Sequence, residues 1–328
     1  SYDALGFASF ELDLWGTYRR LDEAARAELL ATAAGRDAVQ LSLTADVAAM
    51  YFRLRTLQAQ TRIARNQLAT YDKTCEIYRK RYRWGYTQEL DLRRIEADRL
   101  ATEALLYQRE NEQSKAETAL AMLLGRSPRG IVQGFTEEGK TLEELNSFPL
   151  IPENIPSDLL ARRPDIRRDE EMLIAANARI GAARAAFFPS ITLTGQYGSA
   201  SSELQDLFAG GTNVWHIAAG LSQPIFEGGK LFAREKAARA RQEQMLAHYE
   251  QTVQNAFRET RDALVAGTKT SQVLAASIER VRAMHRSCEL SRKQHSRGYI
   301  SIIDVLDIQR RSLLAELDLS AARQSQLD

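Results

Sequence analysis

The placement of helix-breaking residues constrains this chain more than any other feature. Its seven prolines fall at 128, 149, 152, 156, 164, 189 and 224, so residues 1–127 and 225–328 contain none. Between Thr17 and Trp84 there is one glycine, Gly35; between Lys230 and Arg297 there is again one, Gly267. A helix interior loses about 3 kcal/mol to proline and about 1 to glycine. Both stretches are otherwise rich in Ala, Leu, Arg, Glu and Gln, which enter helices at little entropic cost. Each reads as one near-continuous helix of 68 residues, roughly 100 Å long at ~1.5 Å per residue. A compact chain of 328 residues has a radius of gyration near ~20 Å. Rods of that length do not fit inside it, so an elongated molecule is expected.

The two rods belong to a repeat. Displaced by 213 residues, Gly16 falls on Gly229, Gly85 on Gly298, Tyr86 on Tyr299, Asp91 on Asp304 and Cys75 on Cys288. Coincidence of so many punctuating residues indicates an internal duplication. Each unit reads as a strand, a long helix, a tight turn at Gly85 or Gly298, and a returning helix. The returns run from about Leu90 to Leu124 and from about Ile303 to the chain end. Gly125 and then Pro128 close the first return as a C-terminal stop.

The first rod carries apolar residues alternately four and three apart, from Leu43 through Leu54, Leu57, Ala64, Tyr71, Cys75 and Tyr78 to Tyr82. The second carries a looser version from Val253 through Leu264, Leu274 and Val281 to Cys288. A period of 3.5 makes a seam for a neighbouring helix. On this feature alone an ordinary coiled coil without any transport role fits as well. Residues 126–161 hold clustered Gly and Pro and read as irregular structure or short helices against the rods. Pro164 and Asp165 then open a new helix, on which Ile166, Leu173, Ile180 and Phe187 recur every seven residues.

Charge decides between broad classes. The 44 basic residues against 43 acidic ones give no excess for holding nucleic-acid phosphate. Charged residues make up 27% of the chain, yet 185–202 carry none, and neither do 207–226 with His216 neutral. Glycines and polar residues exclude transmembrane helices there. The runs alternate instead. Ile191, Leu193, Gly195 and Tyr197 point one way, and Trp215, Ile217, Ala219 and Leu221 share one face. Strands with one apolar side and bordering aromatics suit an outer-membrane barrel; a soluble sheet packed on helices is the other reading. Ser199 to Asn213 is the expected loop between them, and Tyr2 to Trp15 the matching strand of the first unit.

The run Leu159-Leu160-Ala161-Arg162-Arg163-Pro164-Asp165-Ile166-Arg167, continued by Ala175-Ala176-Asn177-Ala178-Arg179-Ile180-Gly181-Ala182-Ala183-Arg184-Ala185-Ala186-Phe187-Phe188-Pro189-Ser190-Ile191, resembles the signature of TolC-like outer-membrane efflux factors of the OprM/NodT branch. Phe10-Glu11-Leu12-Asp13-Leu14-Trp15-Gly16, Ser222-Gln223-Pro224-Ile225-Phe226-Glu227-Gly228-Gly229 and the two turns add to the likeness. The resemblance implies a mainly α fold with a small β part: very long antiparallel coiled-coil helices forming an α-barrel, transmembrane β-barrel strands, and two internal repeats. The expected organisation is a barrel strand at 1–15, a long helical hairpin at 16–125 with its tip near 82–92, an equatorial segment at 126–161, a helix at 162–188, a barrel β-hairpin at 189–227, and a second long hairpin at 228–328 with its tip near 295–305. The family forms homotrimers in the Gram-negative outer membrane that extend into the periplasm and dock on an inner-membrane pump of the RND type through a periplasmic adaptor protein. The first unit lacks the helix and strand equivalent to about 160–200, so the chain is expected to be an N-terminally truncated piece, its lipid anchor outside it.

No catalytic constellation is present. His216, His248, His285 and His295 show no metal-ligand spacing, and no HExxH, GxSxG, CxxC or phosphate loop occurs. Neither an enzyme, a cofactor nor a metal site is expected. The five methionines, 50, 122, 172, 245 and 284, are scattered and suggest no thioether cluster. Asp304 and Asp307 lie three apart and share a helix face. By resemblance they form rings at a gated periplasmic constriction; by spacing alone they are a solvated acidic face pairing with Arg310 or Arg311. The first unit keeps Asp91 but has Arg94 in place of the second aspartate. The tips, with Tyr82, Trp84, Gly85, Tyr86, Leu90 and Asp91 on one and Arg297, Gly298, Tyr299 and Ile303 on the other, are the expected adaptor surface, or else residues that close the turn by packing. Ile191, Leu193, Tyr197, Trp215, Ile217 and Leu221 are the expected lipid-facing side chains. The resulting expectation is a passive export duct for small molecules. A type I protein-secretion duct and a coiled-coil scaffold without a pore are the alternatives.

Overall fold

A computed structural model of the protein describes residues 2–127, 129–130, 140–145, 162–208 and 211–328. Their elements are β1 (Tyr2–Leu12), α1 (Thr17–Arg83), α2 (Glu89–Leu123), α3 (Pro164–Ala185), β2 (Ser190–Ser201), β3 (Asn213–Ser222), α4 (Lys230–Ser296) and α5 (Ile302–Leu327), with a short 3-10 turn at Leu204–Asp206. The chain divides into two compact units. The first comprises Ser1–Val39 and Pro156–Arg258, the second Gln40–Ile155 and Glu259–Asp328.

In the first unit the strands form one antiparallel sheet in the order β1-β2-β3. The ladder continues to Ser201 rather than ending at Ser199, because Ala200 donates to the Thr212 carbonyl and prolongs the pairing. The connection is correspondingly shorter, with Leu207 buried in it. Strand β1 stops at Leu12, short of Trp15. Asp13 turns back to accept from the Tyr18 and Arg19 amides at the start of α1. Trp15 stacks on Phe188 and donates to the Pro189 carbonyl.

Pro164 and Asp165 stand in the first turn of α3. The buried face of this helix is not the seven-residue series of large side chains. Ile166 is buried, but Leu173, Ile180 and Phe187 are only half-buried, and the interior positions are Ala175, Ala176, Ala178, Ala182 and Ala185. Ala175 and Ala178 pack on Ala24 and Ala27 of α1. Small residues on both sides let two helices approach closely, and a seven-residue count of large side chains misses such a face.

In the second unit the α1 seam is the core. Leu54 and Leu57 pack with Ala116 and Leu120 of α2. Nearer the tip, Tyr71, Cys75 and Tyr78 pack with Leu92 and Ile95 of α2 and Ile302, Val305 and Leu306 of α5. Leu43 and Tyr82, the two ends of the predicted stripe, are exposed. Most of 126–161 lies outside the described residues. Within it, Leu142 is buried beside Ala59 and Leu327, and Glu143 pairs with Arg62 and Arg323.

Candidate functional site

Three places in the fold carry the predicted site residues. The first is the sheet. The register sets Phe10 opposite Leu193 and Leu12 opposite Ile191, then Tyr197 opposite Trp215, Gly195 opposite Ile217 and Ile191 opposite Leu221. Because side chains alternate along a strand, all six predicted strand residues share one face with Phe10 and Leu12. Trp215, Ile217 and Leu221 are each more than 70% exposed. The other face carries Asp3, Ser9, Glu11, Thr192, Thr194, Gln196 and His216, with Leu5, Phe7 and Val214 as apolar exceptions. Gly198 allows the strands to approach; a Cβ there would run into the Ala4 carbonyl oxygen. Among the described residues no helix is long and apolar enough to cross a membrane.

The second place is the pair of tips. Gly85 and Gly298 both have positive φ, 72° and 81°. Each sits in the same hydrogen-bonded stop: Tyr86 donates to Arg81 and Gly85 to Tyr82, as Tyr299 donates to Gln294 and Gly298 to His295. This six-to-one and five-to-two pattern ends a helix cleanly because glycine takes the left-handed conformation without a Cβ clash. Trp84, Tyr86 and Tyr299 are largely exposed, Leu90 moderately so. The turns are closed instead by Ile300, Ile302 and Leu92 inside the tip cluster. The aromatics of the tip surface are therefore not what holds the turn. Sequence reasoning missed a tie between the tips: the Tyr78 hydroxyl lies 2.8 Å from His295 Nε2, and His295 Nδ1 lies 3.0 Å from the Ile300 carbonyl.

The third is the acidic pair on α5. Asp304 completes a capping box with Ser301: its amide donates to Ser301 Oγ, and its Oδ2 accepts from the Ser301 amide and hydroxyl. That satisfies two of the amides a helix start leaves open. Asp307 accepts from Arg310 at 2.7 Å and pairs with Arg311 at 2.8 Å. The hydrogen bond from Arg310, assisted by Arg311, outweighs desolvation and holds the Asp307 carboxyl below the usual range. In the single chain the two aspartates thus have separate partners. On α2, Asp91 accepts from Thr87. Cys75 is buried and Cys288 half-buried, both as free thiols.

A sheet with an exposed apolar face, joined to helical hairpins of 67 residues per long arm, is the arrangement of an outer-membrane export channel. The outer membrane efflux protein family matches residues 1–126 and 155–328, and the chain belongs to that family. Cation efflux system protein CusC of Escherichia coli K12 is 35% identical over 97% of this chain and 69% of its own length. Toluene efflux pump outer membrane protein TtgF of Pseudomonas putida is 35% identical over 99% and 67%. The open-state MtrE outer membrane channel of Neisseria gonorrhoeae superimposes with a TM-score of 0.86 at 32% identity, covering all of this chain and 77% of that one. The protein is an outer-membrane efflux protein of the Gram-negative type, one of a family of channels.

Proposed function

We propose that the chain is one subunit of a homotrimeric export duct for small molecules, passive in itself and driven by an RND-type inner-membrane pump through a periplasmic adaptor. The observation that carries this is the sheet. Its register collects Phe10, Ile191, Leu193, Tyr197, Trp215, Ile217 and Leu221 on one exposed face, which in water is a standing cost and against lipid tails is a gain of about 25 cal/mol per Å². The three strands among the described residues leave open edges, and a membrane sheet must close; in this reading sister subunits supply the closing strands. The 213-residue displacement supports reading β1 to α2 and β3 to α5 as equivalent units. A coiled-coil scaffold has no use for the exposed face. Protein secretion shares the duct geometry, but the relatives named above are efflux proteins, one for cations and one for toluene, at equal identity. The exposed Trp84, Tyr86 and Tyr299 give the adaptor rigid aromatic area of the kind interfaces favour.

Asp304 and Asp307 form the acidic part of the constriction in this reading. Three copies concentrate negative charge and favour cations. Reconstitution of the full-length parent in planar bilayers tests both levels. Discrete cation-selective conductance is expected, with selectivity reduced in Asp307→Asn and further in the Asp304→Asn/Asp307→Asn double variant. Conductance with unaltered selectivity in all variants removes the gate assignment. Recovery of the full-length protein from the soluble fraction, with no channels, removes the duct. A graded version places one arginine on each sheet face: Ile217→Arg is expected to lower outer-membrane levels strongly, at about 2–4 kcal/mol for a mid-membrane site, and Thr194→Arg much less.

A further inference from the structure

The scattered methionines are not all scattered in space. In the first unit, Asp169 of α3 meets α4: Thr252 donates to its Oδ2 at 2.6 Å, and His248 Nδ1 lies 3.0 Å from the same oxygen. Further along, Arg184 pairs with Glu235, and Phe187 sets its ring edge-on to Phe232. The two helices therefore run antiparallel, and three residues forward on α3 correspond to three back on α4. One turn from the Asp169–His248 contact, Met172 stands opposite Met245. Both line the same groove as His248, Asp169 and Arg168, about 630 Å³, whose far wall is the small-residue stretch of α1 at Ala31 and Gly35; the Arg168 guanidinium is neutralised there by Asp169 at 2.8 Å. Both methionines are half-buried.

The chemistry of this set is specific. Two thioethers are soft donors that favour monovalent copper and its analogue silver over hard cations. Asp169 is only 4% exposed. Arg168 Nε donates to its Oδ1 at 2.8 Å and Thr252 to its Oδ2, so both oxygens are held in place. A carboxylate beside Nδ1 favours the tautomer with the proton on that nitrogen and leaves the Nε2 lone pair available, the usual arrangement of a metal-binding histidine. The geometry points to a binding site for a soft monovalent metal ion, Cu(I) or Ag(I), with Met172 Sδ, Met245 Sδ and His248 Nε2 as ligands and Asp169 as the positioning residue. The site is formed within one chain and does not depend on the duct reading.

The test uses the full-length protein in detergent, in a Cys75→Ala/Cys288→Ala background so that thiols do not compete for silver. Calorimetric titration with Ag(I) is expected to show one tight site per chain, undisturbed by a hundredfold excess of Zn(II). Met172→Leu/Met245→Leu and His248→Gln are each expected to weaken it at least ~10-fold, with helicity unchanged because Met and Leu exchange at nearly constant volume. X-ray absorption of the Cu(I)-loaded protein gives a second readout that needs no variant in the site, with sulfur and one nitrogen in the first coordination sphere. Undiminished silver affinity in the double Met variant, displacement by zinc, or a copper sphere without sulfur would each overturn the site.

Discussion

The two long helices have the same length, and their ends are set 213 residues apart, Thr17 to Lys230 and Arg83 to Ser296. Their seams behave differently. On α1, Leu54, Leu57, Thr61, Ala64, Tyr71, Cys75 and Tyr78 are all buried. On α4, Val253, Leu264, Leu274 and Val281 are half-buried, Phe257 and Ile278 are exposed, and only Ala256 and Ser291 are fully covered among the described residues. The contacts of α4 with α5 are polar: Arg280 with Asp318 and His285 with Glu316. A repeated sequence pattern thus acquires two energetic roles. One seam is core for the single chain. The other remains a surface, which in a trimer is available to a sister subunit or to the duct wall.

The largest expected effect breaks this comparison most directly. Leu54→Ala empties a site with no solvent exposure and is expected to cost about 2–5 kcal/mol of stability. Leu274→Ala, half-exposed, is expected to cost about 1 kcal/mol or less in the separated chain by lost burial, and more once assembled if the proposed trimer covers that seam. Denaturant midpoints of both variants, below and above the concentration of assembly, check it. Equal costs for the two leucines in the separated chain would mean that α4 has an intrachain partner for its seam after all.

A middling effect asks whether the tips share what the seams do not. Gly85 and Gly298 hold the same backbone conformation, and a Cβ at either position would meet no atom within 4 Å. Substitution is therefore pure conformational strain, about 1–2 kcal/mol for a left-handed residue. Gly85→Ala and Gly298→Ala are expected to lower thermal stability equally. A twofold difference in free energy would show that the two turns, alike in hydrogen bonds, are unequally braced by the Tyr78–His295 tie.

These contrasts also mark what a linear reading reaches. The long helices, the tip glycines and the alternation of Ile191 to Tyr197 were legible because local rules govern them: absence of breakers, positive φ, a period of two. Burial of the α1 seam followed from its unbroken apolar series. The alanine face of α3 was not legible, since close approach selects for small residues and leaves no hydrophobic peak. The partners of Asp304 were legible in principle, because Ser301 three residues before it is the signature of a capping box. Met172 and Met245 lie 73 residues apart and come to line one groove only through the antiparallel register of two helices, which no short window contains.

The smallest effect separates the returning helices by their acids. Displaced by 213, Arg94 and Asp98 of α2 become Asp307 and Arg311 of α5, the same pair with its polarity reversed. Burial pushes Asp98 up, and the nearby Arg310 only partly restrains it; Asp307 is held low by its hydrogen bond from Arg310 and by Arg311. The signs are opposite. A carboxyl raised in the folded state destabilises when ionised, so acidification from neutral first gains stability as Asp98 takes up its proton. A lowered carboxyl stabilises above its unfolded value, near the ordinary ~3.9, and that gain is lost as pH falls through the folded value. Asp98→Asn is therefore expected to raise the melting temperature slightly at neutral pH and to flatten the rise above pH ~4. Asp307→Asn is expected to lessen the fall below it, the remainder coming from other lowered carboxyls such as Asp165 and Glu235. Melting temperature against pH for both variants reads the two limbs separately. A Asp98→Asn profile that coincides with the parent's from neutral down to that point would show that Arg310 neutralises both acids and that the reversed polarity has no energetic consequence.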